Sequence, residues 1–214
     1  MAKEKLGVNP WLKIWVNPRE TIQKIVEYNP KHRFVILSFL YGLPMVLHIA
    51  QGLSLTETLS ILGIVIAALV VATFAGMLGI VVASALITWT GKWIGGKAGF
   101  QHVRSAVAWS NVPNIFSIVI WAFLICTFHD RIFLDTFNEQ AFAGRELAIV
   151  STALFLQGVL AVWSFVILVK GIGQVQGFSA WKGVLNVLIP FFLVGIVIWM
   201  ISWLSWTIFG FAGI

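Results

Sequence analysis

Residues 58–90 read TLSILGIVIAALVVATFAGMLGIVVASALITWT, a run that contains no Asp, Glu, Lys or Arg. As one α-helix it would be ~50 Å long at 1.5 Å per residue, while a bilayer core of ~30 Å is crossed by about 20 apolar residues. Tilt within the usual range does not absorb the excess. The helix must project past the membrane, bend at Gly76 and Gly79, or break there into a hairpin of two half-spans. A hairpin would carry Lys92, Lys97 and Arg104 to the opposite side and reverse the charge asymmetry set out below. One long or bent helix is therefore expected. Gly76-x-x-Gly79, with Ala75, Ala83, Ser84 and Ala85 nearby, forms a small-residue face suited to close helix packing.

Four further apolar blocks flank this one, at Phe34–Leu53, Ser105–Phe128, Leu147–Val169 and Val184–Phe209. The 214 residues are 59% hydrophobic and 10% charged, with 11 Trp, 17 Phe and a mean hydropathy of +0.95. A soluble domain of this size cannot bury so much apolar surface. The expected fold is all-α: a polytopic membrane protein with five transmembrane helices, the second long or bent. Residues 1–33 form an N-terminal arm and residues 34–214 the transmembrane domain.

Of the 14 Lys and Arg residues, 12 fall in the arm, in 91–104 and at Lys170 and Lys182, all on one side of a five-span topology. Only Arg131 and Arg145 fall on the other, beside Asp130, Asp135, Glu139 and Glu146. The positive-inside rule then places the N-terminus in the cytoplasm and the C-terminus, with the uncharged tail 210–214, outside. The basic balance points to anionic lipid headgroups at the cytoplasmic face. Nucleic acid is not expected, since no soluble basic domain is there to hold it. The first apolar run starts only at residue 34, which is not the pattern of a secretory signal peptide. The single cysteine, Cys126, lies in a span, so neither an intrachain disulfide nor a cysteine metal cluster can form.

Pro44, Pro113 and Pro190 fall in the first, third and fifth spans. Each removes a donor and displaces the carbonyl four residues earlier, at Leu40, Trp109 and Asn186. Lipid offers those carbonyls no partner. Asn111, Asn114, Gln157 and Asn186 supply polar groups at membrane depth, and His48 lies near the outer end of the first span. The four amides would either line a polar path or headgroup pocket, or act as interhelical hydrogen-bond glue that also serves the displaced carbonyls. No charged residue lies well inside a span, which argues against an ion-coupled carrier.

Gly91-Lys-Trp-Ile-Gly-Gly96-Lys97 imitates a phosphate-binding loop but lacks the preceding strand and the following Ser or Thr. It reads as a cytoplasmic turn with Lys92 and Lys97 near lipid phosphates. His129-Asp130-Arg131 reads as an interfacial charge cluster. No nucleophile with a base and no paired carboxylates stand out, so neither enzymatic activity nor a metal or other cofactor is expected.

In the arm, Trp11, Ile14 and Trp15 share a face. Asn17-Pro18-Arg19-Glu20 is a helix start with Asn as cap, and Ile22, Ile25 and Val26 continue an apolar stripe until Asn29-Pro30. This predicts a short amphipathic helix on the cytoplasmic leaflet, with Trp11, Trp15 and Ile22 meeting lipid or a docked partner.

Several segments together are similar to a known family. They are Asn17-Pro-Arg-Glu-Thr21, the loop Gly95-Gly96-Lys97-Ala98-Gly99-Phe100, Trp109–Ile115 with its proline, Val175-Gln-Gly-Phe-Ser179-Ala-Trp-Lys182, and Pro190 in the last span. In order and spacing they resemble the prokaryotic branch of the Yip (Ypt-interacting protein) domain family over roughly residues 10–209. The resemblance implies a five-helix membrane domain with a cytoplasmic N-terminus, here in a prokaryotic plasma (inner) membrane. Eukaryotic members sit in Golgi and endoplasmic reticulum membranes, bind Rab GTPases and one another, and act in vesicle traffic. This chain has only about 33 residues before its first span, where they carry a long cytoplasmic region. The expected function is a non-enzymatic scaffold working through lipid and protein contacts, with a homodimer or another membrane protein as partner. The alternative is a lipid or small apolar-molecule transporter that uses the proline–asparagine constellation.

Overall fold

The computed structural model describes residues 6–134 and 142–209. Lys3, Lys5, Asp135, Glu139 and the tail 210–214, all part of the charge pattern, lie outside the described residues. The described residues are helical: α1 Pro10–Lys13, α2 Pro18–Tyr28, α3 Phe34–Gly52, α4 Ile61–Trp93, α5 Phe100–Ser110, α6 Phe116–Phe128, α7 Arg145–Gln176 and α8 Ala180–Phe209. Short 3₁₀ turns cover Leu55–Glu57, Pro113–Ile115 and His129–Phe133. Five segments are long and apolar enough to cross a membrane: α3, α4, Pro113–Phe133, α7 and α8.

The long second block is one unbroken helix of 33 residues, three positions later than its apolar run at each end. Ser60 moves its start, because the Ser60 Oγ accepts from the Gly63 N–H at 3.3 Å and caps the first turn. Gly76 does not break the helix. It faces Gly42 of α3, where the two backbones come so close that no side chain fits between them. A Cβ on Gly42 would stand 1.8 Å from the Ala72 carbonyl oxygen, and one on Gly76 1.9 Å from that of Ser38. Without a hydrophobic driving force inside lipid, such close packing of small residues holds the pair together.

The third block departs from expectation. Ser105–Phe128 is not one span: α5 ends at Ser110, and the crossing begins at Pro113. A proline kink would leave the Trp109 carbonyl unpaired. The chain ends the helix instead, and the Val112 N–H donates to that carbonyl at 3.2 Å. The Asn111 amide donates back to the Val107 carbonyl at 2.8 Å, a side-chain bond that competes with helix continuation. Helix α5 therefore lies beneath the bundle as an element of its own, with Val103, Ala106 and Trp109 fully buried.

The arm also departs. Helix α2 begins at Pro18 and stops at Tyr28, as its sequence signals require, yet the Asn17 side chain does not cap it. The Asn17 carbonyl accepts from the Thr21 N–H at 3.1 Å and the Thr21 hydroxyl at 2.7 Å. The apolar stripe turns inward: Ile14, Ile22 and Ile25 have no exposed surface and pack into one core with Val103, Trp109, Ile167 and Ile172 of α5 and α7. Trp11 meets Trp109 edge-on at 5.1 Å. Of its apolar residues the arm leaves Leu12 and Val16 most exposed, at 71% and 74%.

At the far end of the bundle a second core gathers Leu47, Ile64, Ala68, Trp121, Phe128 and Phe133. Arg131 closes it, donating through both guanidinium nitrogens to the two Glu146 carboxylate oxygens at 2.9 and 2.8 Å. That fork joins the 3₁₀ turn after α6 to the first turn of α7.

Candidate functional site

The four amides expected at membrane depth fall into two places, and Asn111 precedes the crossing, which begins at Pro113. Asn111 and Asn114 sit side by side, Asn114 Nδ2 donating to Asn111 Oδ1 at 3.2 Å. Asn114 and Gln157 then line a cavity of about 300 Å³ with Tyr41, Pro44, His48 and Ser117. This is a mostly apolar hollow between α3, α6 and α7 with a few polar groups in its wall, and Pro44 lines it. Asn186 lies elsewhere, so the four do not line one route.

Asn186 belongs to a junction at the end of the bundle that carries the arm. It is fully buried and donates through Nδ2 to the Ile87 carbonyl at 2.9 Å and to Thr90 Oγ1 at 3.0 Å. Its Oδ1 accepts from Gln176 Nε2 at 3.4 Å, and Gln176 Oε1 accepts from the Ala98 N–H at 3.0 Å. The Thr90 hydroxyl bonds its own helix at Leu86 at 2.9 Å and also lies 3.5 Å from the Asn186 carbonyl, the group that Pro190 displaces. Gln176 and Asn186 thus bind three segments together: the end of α4, the glycine loop after it, and the α7–α8 connection.

The glycines of the loop serve this junction rather than a phosphate. A Cβ on Gly91 would meet Gln176 Nε2 at 2.3 Å, and one on Gly96 would meet Gln176 Oε1 at 2.4 Å. Gly95, at φ +88°, makes the turn that L side chains rarely adopt. On the other strand of the junction, Gly177 at φ +72° ends α7, and the Phe178 N–H donates to the Gly173 carbonyl at 2.7 Å.

Lys92, Lys97 and Lys182 stand exposed around this junction, and among the described residues none has a carboxylate within ion-pair distance. Trp93 and Trp181 are exposed beside them, at 54% and 80%. Trp15 packs edge-on against Phe116 at 5.8 Å, and Ile22 is wholly enclosed. Of the three arm residues expected to meet lipid or a partner, Ile22 is unavailable to either. Gln176, Thr90 and Gly42 were not singled out in the sequence. The motif Val175-Gln-Gly-Phe held the only hint of the first, as a glutamine beside a helix-ending glycine.

The Yip1 domain model matches residues 12–202, from α1 through most of α8. The chain belongs to the Yip1 domain family. The matched region takes in α2 together with all five candidate spans, as expected of an arm whose stripe is part of the Yip1 core. The two loops that carried the resemblance, 95–100 and 175–182, are the ones that Gln176 joins. No curated protein and no solved structure matches this Yip1 chain.

Two titrating groups bear on the Yip1 arm, Glu20 within it and His32 where it meets α5. Lys24 and Lys13 both donate to Glu20 Oε1, at 2.8 and 2.9 Å, and hold its carboxyl down at about 2, Lys24 the stronger. His32 stacks on Trp109 at 6.0 Å and meets Tyr28 edge-on at 5.5 Å. Burial, then neighbouring Arg33, lowers its pKa below 6.5. Because the docked state disfavours the imidazolium, His32 favours docking above 6.5, and that contribution falls away as pH drops below this value. Glu20 instead braces α1 against α2, both its partners lying in the arm, and that brace is present above 4.5 and lost as pH falls toward 2. Acidification should therefore weaken the docking at His32 first and, only at lower pH, the brace within the arm. Trp fluorescence of the wild type against His32→Phe checks the first: the upper step should vanish in the variant while the lower remains.

Proposed function

We propose that this chain is a non-enzymatic scaffold that organises a prokaryotic plasma membrane, on the prokaryotic branch of the family. Its N-terminus lies in the cytoplasm and its C-terminus outside. The observation that carries this reading is the docked arm. With Ile14, Ile22 and Ile25 enclosed, the arm, α5 and the two joined loops make one firm platform at the basic end of the bundle. A firm surface binds at a lower entropic cost than a free tail. Around it, Trp93 and Trp181 suit the headgroup layer, while Lys92, Lys97 and Lys182 suit anionic headgroups at the cytoplasmic face.

Photo-crosslinking in native membranes from Leu12 and Val16, the exposed arm positions, tests the scaffold. A reproducible adduct to a second copy or another membrane protein is expected. Adducts to phospholipid alone would overturn it. The lysines make a separate prediction. At about 1 kcal/mol per basic residue near an anionic surface, the triple change Lys92→Gln, Lys97→Gln, Lys182→Gln should weaken phosphatidylglycerol retention by about 3 kcal/mol. Native mass spectrometry against phosphatidylcholine measures it.

A second reading, movement of lipid or small apolar molecules, has one observation in its favour: the cavity of about 300 Å³ with Asn114 and Gln157 in its wall. Leu at both positions should then abolish transfer between leaflets of a liposome with the fold retained. Unchanged transfer would dismiss it.

A further inference from the structure

We propose that the outer faces of α6 and α7 form a phospholipid site at the end of the bundle opposite the arm. A lipid phosphate would sit on Arg145, with one acyl chain in the groove below it. The groove encloses about 570 Å³. On the α7 side it runs along Arg145, Ile149, Thr152 and Leu156, one helical face spanning ~16 Å at 1.5 Å per residue. On the α6 side Val119 and Phe123 wall it, at 67% and 54% exposure.

Charge selects the occupant. The neighbouring carboxylate, Glu146, is taken by both nitrogens of the Arg131 fork. Arg145 is exposed, and among the described residues it has no carboxylate within ion-pair distance. A cation at the mouth of an otherwise apolar groove complements a molecule with one anionic end and a hydrocarbon body. The planar guanidinium suits phosphate oxygens better than a point charge would. Thr152 adds little polarity, since its hydroxyl donates to the Ala148 carbonyl at 2.8 Å. The site sits in the leaflet opposite the basic platform and does not depend on the scaffold reading.

The test uses the full chain in phosphatidylethanolamine nanodiscs, with a phosphatidylglycerol whose acyl chain carries a diazirine. A diacylglycerol of the same chain is the phosphate-free comparison. Illumination and peptide mapping should place phosphatidylglycerol adducts on Val119, Phe123 and Leu156. Arg145→Gln should lower that labelling about tenfold, as expected for a lost charge-assisted bond, and Arg145→Lys should restore part of it. Ala148→Trp, which fills the groove from an exposed position, should remove the labelling even with Arg145 intact. Equal labelling by the two probes, or labelling indifferent to Arg145→Gln and Ala148→Trp, would overturn the site and reduce it to ordinary lipid contact.

Discussion

Gly76→Val is expected to cost at least about 3 kcal/mol and to leave little folded protein in the membrane, as is Gly42→Val on the facing helix. Overpacking a filled interior costs about 1–3 kcal/mol where side chains can give way. Here the obstacle is backbone. A Cβ at either position would sit under 2 Å from a carbonyl oxygen of the other helix, Ala72 or Ser38, so α3 and α4 would have to part. Parting forfeits the dispersion contacts along the whole crossing, including those of buried Ala68 and Ala72. Two glycines serve as controls. Gly79 would meet only side chains, the Tyr41 ring edge at 3.3 Å and the Met45 sulfur at 3.6 Å, and Gly195 nothing within 4 Å. Gly195→Ala should change stability by less than about 0.5 kcal/mol. Unfolding by detergent titration, read by Trp fluorescence, ranks the four. If Gly76→Val unfolds with the wild type, the crossing does not hold the bundle.

Asn186→Leu is the second large effect, at about 2–3 kcal/mol. It removes the bonds to the Ile87 carbonyl and Thr90 and strands Gln176 inside the protein. Interhelical bonds in membranes contribute roughly 0.6–1.7 kcal/mol each, and an unpaired buried amide adds its desolvation penalty. Gln176→Leu should behave alike and also free the glycine loop, since the Ala98 N–H loses its acceptor. Asn111→Leu should cost less, about 1 kcal/mol, because its bonds reach only Val107 and Asn114 nearby in the chain. Proteolysis at Lys97 reports the difference: faster cleavage in the Asn186 and Gln176 variants, unchanged cleavage in Asn111→Leu. Equal cleavage in all three would mean that the junction does not tie the loops.

The contrast between these residues shows what a sequence can and cannot reveal. The spans were legible because bilayer thickness sets a minimum length for every crossing, and Phe34–Gly52 begins where its apolar block does. Gly76 was legible as a packing residue because small residues at helical spacing have few other uses in lipid. Its partner Gly42 carried no spacing of its own. Pro113 in an apolar run fits a kink or a stop equally well. The stop prevailed because Ser110 and Asn111 both bond back to the Val107 carbonyl, at 2.8 Å each. The arm misled for a plainer reason. A stripe such as Ile14, Ile22 and Ile25 fits a leaflet and a protein groove equally well. Only the separation of α5 from the third span created the groove that receives it.

That docking is the central claim, because the platform and its proposed work depend on it. Hydrogen exchange on the full chain in lipid nanodiscs tests it most directly. The amides of Ile22 and Ile25 in α2 should exchange as slowly as those of Val103 and Trp109 in α5, and far more slowly than those of exposed Leu12 and Val16 in the turn before α2. If α2 exchanges as fast as that turn while α5 stays protected, the arm is a free surface helix and the platform does not exist.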